Sequence, residues 1–261
     1  MITLVGHGYI GNAIAHALRE RGILFNWAHH GSVWITGPVI NAAGYTGHPN
    51  VDACETRRWA AYSGNVEWPI ALEALAGDYP VIHIGSGCVY EGEQEGGFTE
   101  EDEPNFFGSF YSTTKICGQK GLQKYLHKSY LLRIRMPFGV EPHPKNLMTK
   151  LAAYPKLVNG LNSLSRIEDV ARVAVHFATT LPPAGIYNVV NPGAIETREI
   201  AHLMGWIKAW FEPKEFEESV LARRSFCVLN SNKLQAVFPL DEVRTALTAC
   251  IPETLAEPVA A

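Results

Sequence analysis

Residues 1–22 read MITLVGHGYIGNAIAHALRERG. Ile2–Val5 is a short apolar run with the character of a strand. Asn12–Arg21 sets Ile14, Ala17 and Leu18 on one helical face before Gly22 stops the helix. Between the two, GHGYIG places glycines at positions 6, 8 and 11. Such a turn bends tightly and lets a pyrophosphate approach the backbone, while the helix that follows offers free N–H groups and the positive end of its dipole. The spacing alone recurs in ordinary strand–helix turns. Its place between a first strand and a first helix is what points to a dinucleotide.

The rest of the chain repeats the alternation. Ile23–Ala28 reads as a second strand, Pro38–Asn41 as a third leading into NAAG, and Arg57–Ala76 as a long helical segment. Val81–Ile84 is a strand ending in GSGC, Phe110–Lys124 is helical and Tyr130–Ile134 is a strand. Ser165 with Glu168 forms a capping box for a helix running to about Thr179; Ile186–Val190 is a further strand and Thr197–Phe211 a last long helix. This order gives an α/β protein with a doubly wound, mostly parallel sheet. One unit is missing. Only the seven residues GSVWITG separate His30 from Pro38, whereas a parallel crossover takes roughly a dozen. No helix fits after the second strand, so either VWIT is an antiparallel hairpin strand or the sheet lacks its outer unit. No acid occurs between Glu20 and Asp52 to hold the ribose hydroxyl of NAD. His29, His30 and Ser32 stand where a 2′-phosphate would lie, so the expectation leans toward NADPH over NADH.

Composition sets the class. A chain of 261 residues supports one large domain with a small lobe. Only 18% of residues are charged, below the usual quarter, so much of the chain is buried. The net charge is −4 with no run of Lys or Arg, which excludes a nucleic-acid or membrane surface. No apolar stretch has the length of a membrane span, and MITLVGHG is already a strand and turn rather than a signal peptide. Five cysteines at 54, 88, 117, 227 and 250 form no CxxC pair and no zinc spacing. They read as reduced thiols of a cytoplasmic protein, with no metal. The tail PETLAEPVAA reads as loose.

GSFYSTTKIC contains Tyr111 and Lys115, one helical turn apart. A Lys ammonium beside a phenol favours the phenolate and brings a Tyr closer to the working range of a general acid. With ten Tyr and ten Lys in the chain, roughly 0.4 such pairs arise by chance, so the pair needs context. VIHIGSGCVYEG supplies it. This strand ends in small polar residues at the end of the sheet where doubly wound folds bind ligands. Ser86 there completes a Ser–Tyr–Lys set behind the glycine turn.

The set, with NAAG, resembles the short-chain dehydrogenase/reductase superfamily in its extended, sugar-nucleotide branch. NAAGYTGHPNVDACE, EEDEPNFFGSFYSTTK, LRIRMPF, PKNLMTKLA and GIYNVVNPG narrow the resemblance over about residues 1–238. They are similar to the subgroup of dTDP-4-dehydrorhamnose reductases and, more closely, of plant bifunctional UDP-4-keto-6-deoxyglucose 3,5-epimerase/4-reductases. The resemblance implies a Rossmann part over residues 1–139, completed by 165–190, and a substrate lobe mainly over 140–261. It implies that Tyr111 gives a proton to the sugar carbonyl oxygen, that Lys115 binds the nicotinamide ribose and lowers the Tyr pKa, and that Ser86 bonds the same carbonyl. Gly6, Gly8, Tyr9, Ile10 and Gly11 would cradle the cofactor, with Asn41, Ala42 and Ala43 beside it. Tyr45, Cys88, Asn146 and Lys150 would face the substrate. The family turn is usually GxxGxxG, one residue longer than here.

In the bifunctional relatives a Cys two residues after the Ser/Thr position and a Lys in ITK form the epimerase base and acid. SGC and MTK supply Cys88 and Lys150 here. Against this stand two plain readings, Cys as a small buried hydrophobe and Lys as a solvated side chain. The expected activity is NAD(P)H-dependent reduction of a nucleotide-linked 4-keto-6-deoxyhexose with 3,5-epimerisation, giving a nucleotide-L-rhamnose-type sugar; a homodimer is compatible with it. The alternatives are a reductase without epimerase activity and a non-catalytic regulatory subunit of the kind found beside methionine adenosyltransferase. An intact Ser86, Tyr111, Lys115 set argues against the second.

Overall fold

The computed structural model describes residues 1–28 and 34–251. A six-stranded sheet runs through its centre, formed by β1 (Ile2–Val5), β2 (Phe25–Ala28), β3 (Val39–Asn41), β4 (Val81–Ser86), β5 (Tyr130–Ile134) and β6 (Gly185–Asn188). The strand order is β6-β5-β4-β3-β1-β2, and every pairing is parallel. The order reverses between β1 and β3, which opens a crevice at their carboxyl ends. The strands are apolar on both sides because both faces are covered. The covering helices are α1 (Tyr9–Glu20), α2 (Trp68–Ala76), α3 (Phe110–Leu122), and, beyond the short lobe helix α4 (Leu147–Ala153), α5 (Ile167–Thr180). On one face α1 and α5 bury Ile14, Leu18, Val170 and Phe177 against Leu4, Ile40, Ile82 and Leu132. On the other, Leu72 and Ala76 of α2 meet Val5, Val39 and Val81. Among the described residues no helix is long and apolar enough to cross a membrane.

Among the described residues the sheet ends at β2. Residues 34–38 hold neither helix nor strand, and Trp34 is not in a hairpin. Its carbonyl accepts from Thr3 Oγ1 and Asn26 Nδ2, each at 3.3 Å, and Ile35 packs on the Val5, Ala28, Val39 cluster. A short strap thus covers part of the face that a crossover helix would otherwise occupy. His29, His30 and Ser32, and the tail from residue 252, lie outside the described residues.

Three local expectations change. The 57–76 segment is helical but not uniform: Arg58–Tyr62 and α2 are joined by a π turn over Ser63–Glu67. Ser165 does not cap α5. It lies in a short strand, where its hydroxyl donates to Val189 O (2.6 Å) and accepts from Arg135 N (2.9 Å), and the cap position falls on Arg166. The last long helix stops at Leu203, because Gly205 takes a positive φ of 65° and the chain turns into a short strand at Ala209–Trp210.

A second core of Phe138, Leu147, Leu151, Leu164, Ile200 and Leu247 forms the lobe. It draws on residues between 136 and 250. Leu234 and Leu240, however, return to the sheet core, so the lobe is not one unbroken stretch.

The glycine turn fixes how β1 meets α1. Gly6 has φ +101°, and a Cβ there would sit 2.5 Å from Ala43 N; a Cβ on Gly11 would sit 1.7 Å from Gly6 O. A Cβ on Gly8 meets nothing within 4 Å. Gly11→Ala should therefore lower stability by about 1–3 kcal/mol, or roughly 3–10 °C in Tm. Gly8→Ala should stay within about 0.5 kcal/mol of the parent. Thermal unfolding of both variants checks this, and equal losses would contradict the packing assigned to the turn.

Candidate active site

The crevice is built from the carboxyl ends of β1, β3 and β4. α1 begins at Gly8 with no side-chain cap and no acidic residue in its first turn, so its N-terminal field is open to an anion. Beside it lies a cavity of about 530 Å³ lined by Gly6, His7, Ala28, Ala43, Tyr45 and Trp59, among others. Of the expected turn residues Gly6 lines this cavity, Gly8 opens α1 beside it and Gly11 is buried in the turn, while the Ile10 side chain packs on the sheet core. Tyr9 instead turns its ring onto His143 of the lobe, with centroids 4.5 Å apart.

Asn41, Ala42 and Ala43 divide differently from expectation. Ala43 lines the cavity and Ala42 packs on the sheet core. The Asn41 side chain is buried beneath the turn, where Oδ1 accepts from Ala43 N (3.1 Å) and Nδ2 meets His83 Nδ1 (3.1 Å). His83 Nε2 bonds the fully buried Glu73 at 3.0 Å. With Nδ1 accepting from Asn41, that leaves the proton on Nε2 for the carboxylate. Burial holds His83 below its usual value, against the pull of Glu73, so the ring is neutral. Asn41 is therefore a post that fixes the turn rather than a wall of the cavity.

α3 carries Tyr111 and Lys115 on one face. Its start is secured by Ser109, which accepts from Ser112 N (3.1 Å), and by Glu55, which accepts from Phe110 N (2.7 Å). Its position is secured by Asn65 of the π turn. Asn65 accepts from Tyr45 N (2.9 Å) and donates to Tyr45 O (2.8 Å) and Thr114 Oγ1 (3.0 Å). A Cβ on Gly118 would lie 2.2 Å from Asn65 O, so only glycine lets the two helices touch at this depth. Tyr45 thereby joins the cavity wall to the helix that carries Tyr111. Asn65 is absent from the sequence reading; the one local sign is an Asn inside a helical segment, where it competes poorly for helix.

Ser86 ends β4; its hydroxyl accepts from Cys88 N at 3.1 Å and is near enough to Tyr111 to favour the phenolate. Lys115 Nζ lies 5.8 Å from the centre of the Tyr111 ring. The expected lowering of the Tyr111 pKa by Lys115 is not what governs it. Burial first, and then the charge of Cys88, push it well above the usual phenol value against the Ser86 hydrogen bond. Tyr111 therefore keeps its proton through the neutral range. Burial also pushes Lys115 down to about 8.

Cys88, two residues past Ser86, is partly exposed. Arg135 Nη1 donates to its sulfur at 3.5 Å. Arg135 occurs in LRIRMPF but its proximity to the sulfur is not legible there; a charged residue in an apolar strand run is the local sign that something holds it. Lys150 on α4 is half-buried. Burial, then Lys145 and Arg224, lower its pKa, and the charge of Cys88 opposes them. The structure thus gathers Ser86, Cys88, Tyr111 and Lys115, and Lys150 feels the charge of Cys88. Asn146 does not join them through its side chain. It is buried, caps α4 by accepting from Met148 N (2.9 Å), and donates to Gly139 O and Glu141 O. It sets the helix from which Lys150 projects.

Residues 35–255 match the family described as the RmlD substrate binding domain. The chain is 36% identical over 216 residues to a bifunctional dTDP-4-dehydrorhamnose 3,5-epimerase/dTDP-4-dehydrorhamnose reductase of Arabidopsis thaliana, covering 77% of this chain and 71% of that one. It is 33% identical over 216 residues to a trifunctional UDP-glucose 4,6-dehydratase/UDP-4-keto-6-deoxy-D-glucose 3,5-epimerase/UDP-4-keto-L-rhamnose-reductase of the same plant. There the match covers 77% of this chain but only 32%, about a third, of the relative's length. The fold is similar to that of a UDP-rhamnose synthase of Acanthamoeba polyphaga mimivirus (TM-score 0.87, 24% identity, 96% and 98% of the two chains). It is also similar to that of a dTDP-4-dehydrorhamnose reductase of Bacillus anthracis in complex with NADP (TM-score 0.78, 17% identity, 95% and 96%).

The Lys115 value sets a direct test. Its folded-state pKa lies below the unfolded one near 10.4, so the buried ammonium costs stability below about pH 8. That cost disappears as pH rises from about 8 through the unfolded value. In ¹³C-dimethylated protein, one lysine signal should titrate near pH 8 and vanish in Lys115→Arg. A Lys115 signal that titrates with the exposed lysines would contradict the burial argument.

Proposed function

The chain belongs to the family of the RmlD substrate-binding domain, and from that premise we propose that it reduces the 4-keto group of a nucleotide-linked 4-keto-6-deoxyhexose after inverting carbons 3 and 5 at the same site. The observation that carries this is the meeting of Ser86, Tyr111, Lys115 and Cys88 at the end of one strand.

A nicotinamide dinucleotide fits the crevice. The uncapped start of α1, the Gly6 cradle that a Cβ would fill and the long cavity beside them suit its diphosphate and adenosine. Gly6, Gly8, Ile10 and Gly11 would hold the diphosphate, Ala43 and Tyr45 would line the wall, and Lys115 would hold the ribose next to the reacting ring. When bound, the cofactor supplies the hydride for the carbonyl carbon. NADPH suits the wall better than NADH, since no acid occurs between Glu20 and Asp52 and Ala28 closes β2.

The chain's own residues manage the protons. Tyr111 and Ser86 bond the carbonyl oxygen, and Tyr111 gives it a proton as the alkoxide forms. The same two donors steady the enolate that arises when a proton leaves carbon 3 or carbon 5. Cys88 takes that proton as base, and Lys150 returns one to the opposite face of the ring. Burial without a carboxylate partner lowers the Lys150 pKa, which makes its ammonium a readier donor.

Tyr111→Phe should lower turnover about 10²–10⁴-fold, the usual contribution of a general acid, while leaving thermal unfolding near the parent. Cofactor oxidation with UDP- and dTDP-linked 4-keto-6-deoxyglucose, NADPH and NADH being compared, measures this. Near-parent turnover in the variant, or no consumption of either sugar by the parent, would overturn the proposal.

A further inference from the structure

Arg135 is 1% exposed. Its Nη1 donates to Gly87 O (3.4 Å), Ser225 Oγ (3.0 Å) and Cys88 Sγ (3.5 Å), and its Nη2 to Ser225 O (2.6 Å) and Asn162 Oδ1. Its Nε is buried with no partner. Among the described residues every acceptor of this guanidinium is uncharged in its ordinary form, and none is a carboxylate. A buried guanidinium cannot shed its proton, and a buried charge without a counter-charge is costly by several kcal/mol. The site therefore calls for an anion within reach of Arg135.

Two thiols are near enough to supply one. Cys227 Sγ donates to Gly87 O at 3.7 Å, which spends its proton on a carbonyl, and burial raises its pKa despite Arg135. Cys88 Sγ does the reverse and accepts from Arg135. Cys88 is also the one of the pair that is partly exposed. Among the described residues, the ionisable groups on which the Cys88 charge is seen to act are Tyr111 and Lys115 from α3, Lys150 from α4 and Cys227. Tyr111 and Cys227 are held neutral, and the two lysines are cations. No acid among these groups opposes a negative charge on the Cys88 sulfur.

We propose that Arg135 is the fixed counter-charge of Cys88, a positioning residue that holds the sulfur as a thiolate aimed at the sugar and so sets it to act as the epimerase base. The inference rests on the epimerase reading above. Its step is a proton transfer. The thiolate takes the hydrogen from carbon 3 or carbon 5 and becomes a thiol, and the electron pair of the C–H bond passes into the enolate. The Lys150 ammonium then protonates the same carbon from the other face and becomes an amine. One proton moving from Cys88 to Lys150 through solvent restores both groups.

Alkylation of Cys88 by iodoacetamide, followed peptide by peptide between pH 5.5 and 9.5 in the intact protein, reads the charge on the sulfur without substrate. An ordinary thiol with a pKa near 8.5 slows roughly 25-fold from pH 9 to pH 7. Cys88 in the parent should slow less than about threefold. Arg135→Met should restore the steep profile, and Arg135→Lys, which keeps a cation, should preserve most of the flat one. A merely structural Arg135 would not move this profile, and the parent measurement stands even if Arg135→Met fails to fold. A steep Cys88 profile in the parent overturns the proposal. Solvent-deuterium exchange in Cys88→Ala separates the two claims. Lost exchange with a steep parent profile leaves the epimerase reading standing and removes Arg135 from it. Retained exchange with a flat profile does the opposite, giving a thiolate that is not the base.

Discussion

The parallel register of the central strands aligns the ends on which the site depends. Val5 pairs with Asn41, Asn41 with His83 and Ser86 with Ile134. In consequence Gly6, Ala42–Ala43, Gly87–Cys88 and Arg135 leave the sheet on the same side. A one-residue slip would turn each of these side chains to the opposite face. Gly87 N donating to Ile134 O at 2.8 Å extends the β4–β5 ladder past the last paired residue, so Ser86 and Cys88 sit on a continued strand rather than a loose loop. Helix α3 is then pressed against this edge through Gly118 and Asn65, and Tyr111 meets Ser86.

Burial, more than pairing, sets the proton affinities in the crevice. It raises Tyr111, and it lowers Lys115 and Lys150. These shifts have complementary uses. A phenol that holds its proton is a dependable donor to an alkoxide, and a lysine that yields its proton more readily is a better acid toward an enolate. Arg135 is different because a guanidinium stays charged; it needs an anion, and Cys88 is the group in reach. The crevice thus gathers three basic side chains around the end of β4 and no carboxylate bonded to any of them, an arrangement suited to a substrate that carries phosphate and becomes an enolate.

Much of this was legible in the sequence where the signal was local. The glycine turn, the alternation of strand and helix, the one-turn spacing of Tyr111 and Lys115, and the two-residue spacing of Ser86 and Cys88 all lie within short windows. The shortage of residues before Pro38 spoke against an outer helix, and the described residues 34–38 hold none. What escaped depends on partners far along the chain. Ser165 looks like a cap until Val189 and Arg135 claim its hydroxyl. Asn146 looks like a ligand contact until it caps α4. Asn41 looks like a cavity wall until His83 and Glu73 are found behind it. Asn65 and Arg135 show only a polar residue out of place, since their meaning comes from Thr114 at a distance of 49 residues and from Ser225 at 90. The Tyr111 value was misjudged for a related reason: the Lys is visible four residues away, but the burial that outweighs it is not.

The central claim is that one crevice both inverts and reduces the sugar. It is tested most directly by incubating the parent protein with nucleotide-linked 4-keto-6-deoxyglucose and NADPH in D₂O and reading the product by NMR. The account predicts an L-configured 6-deoxyhexose with deuterium at carbons 3 and 5 and a hydroxyl at carbon 4. A product reduced at carbon 4 but still D-configured, with protium retained at carbons 3 and 5, would contradict it.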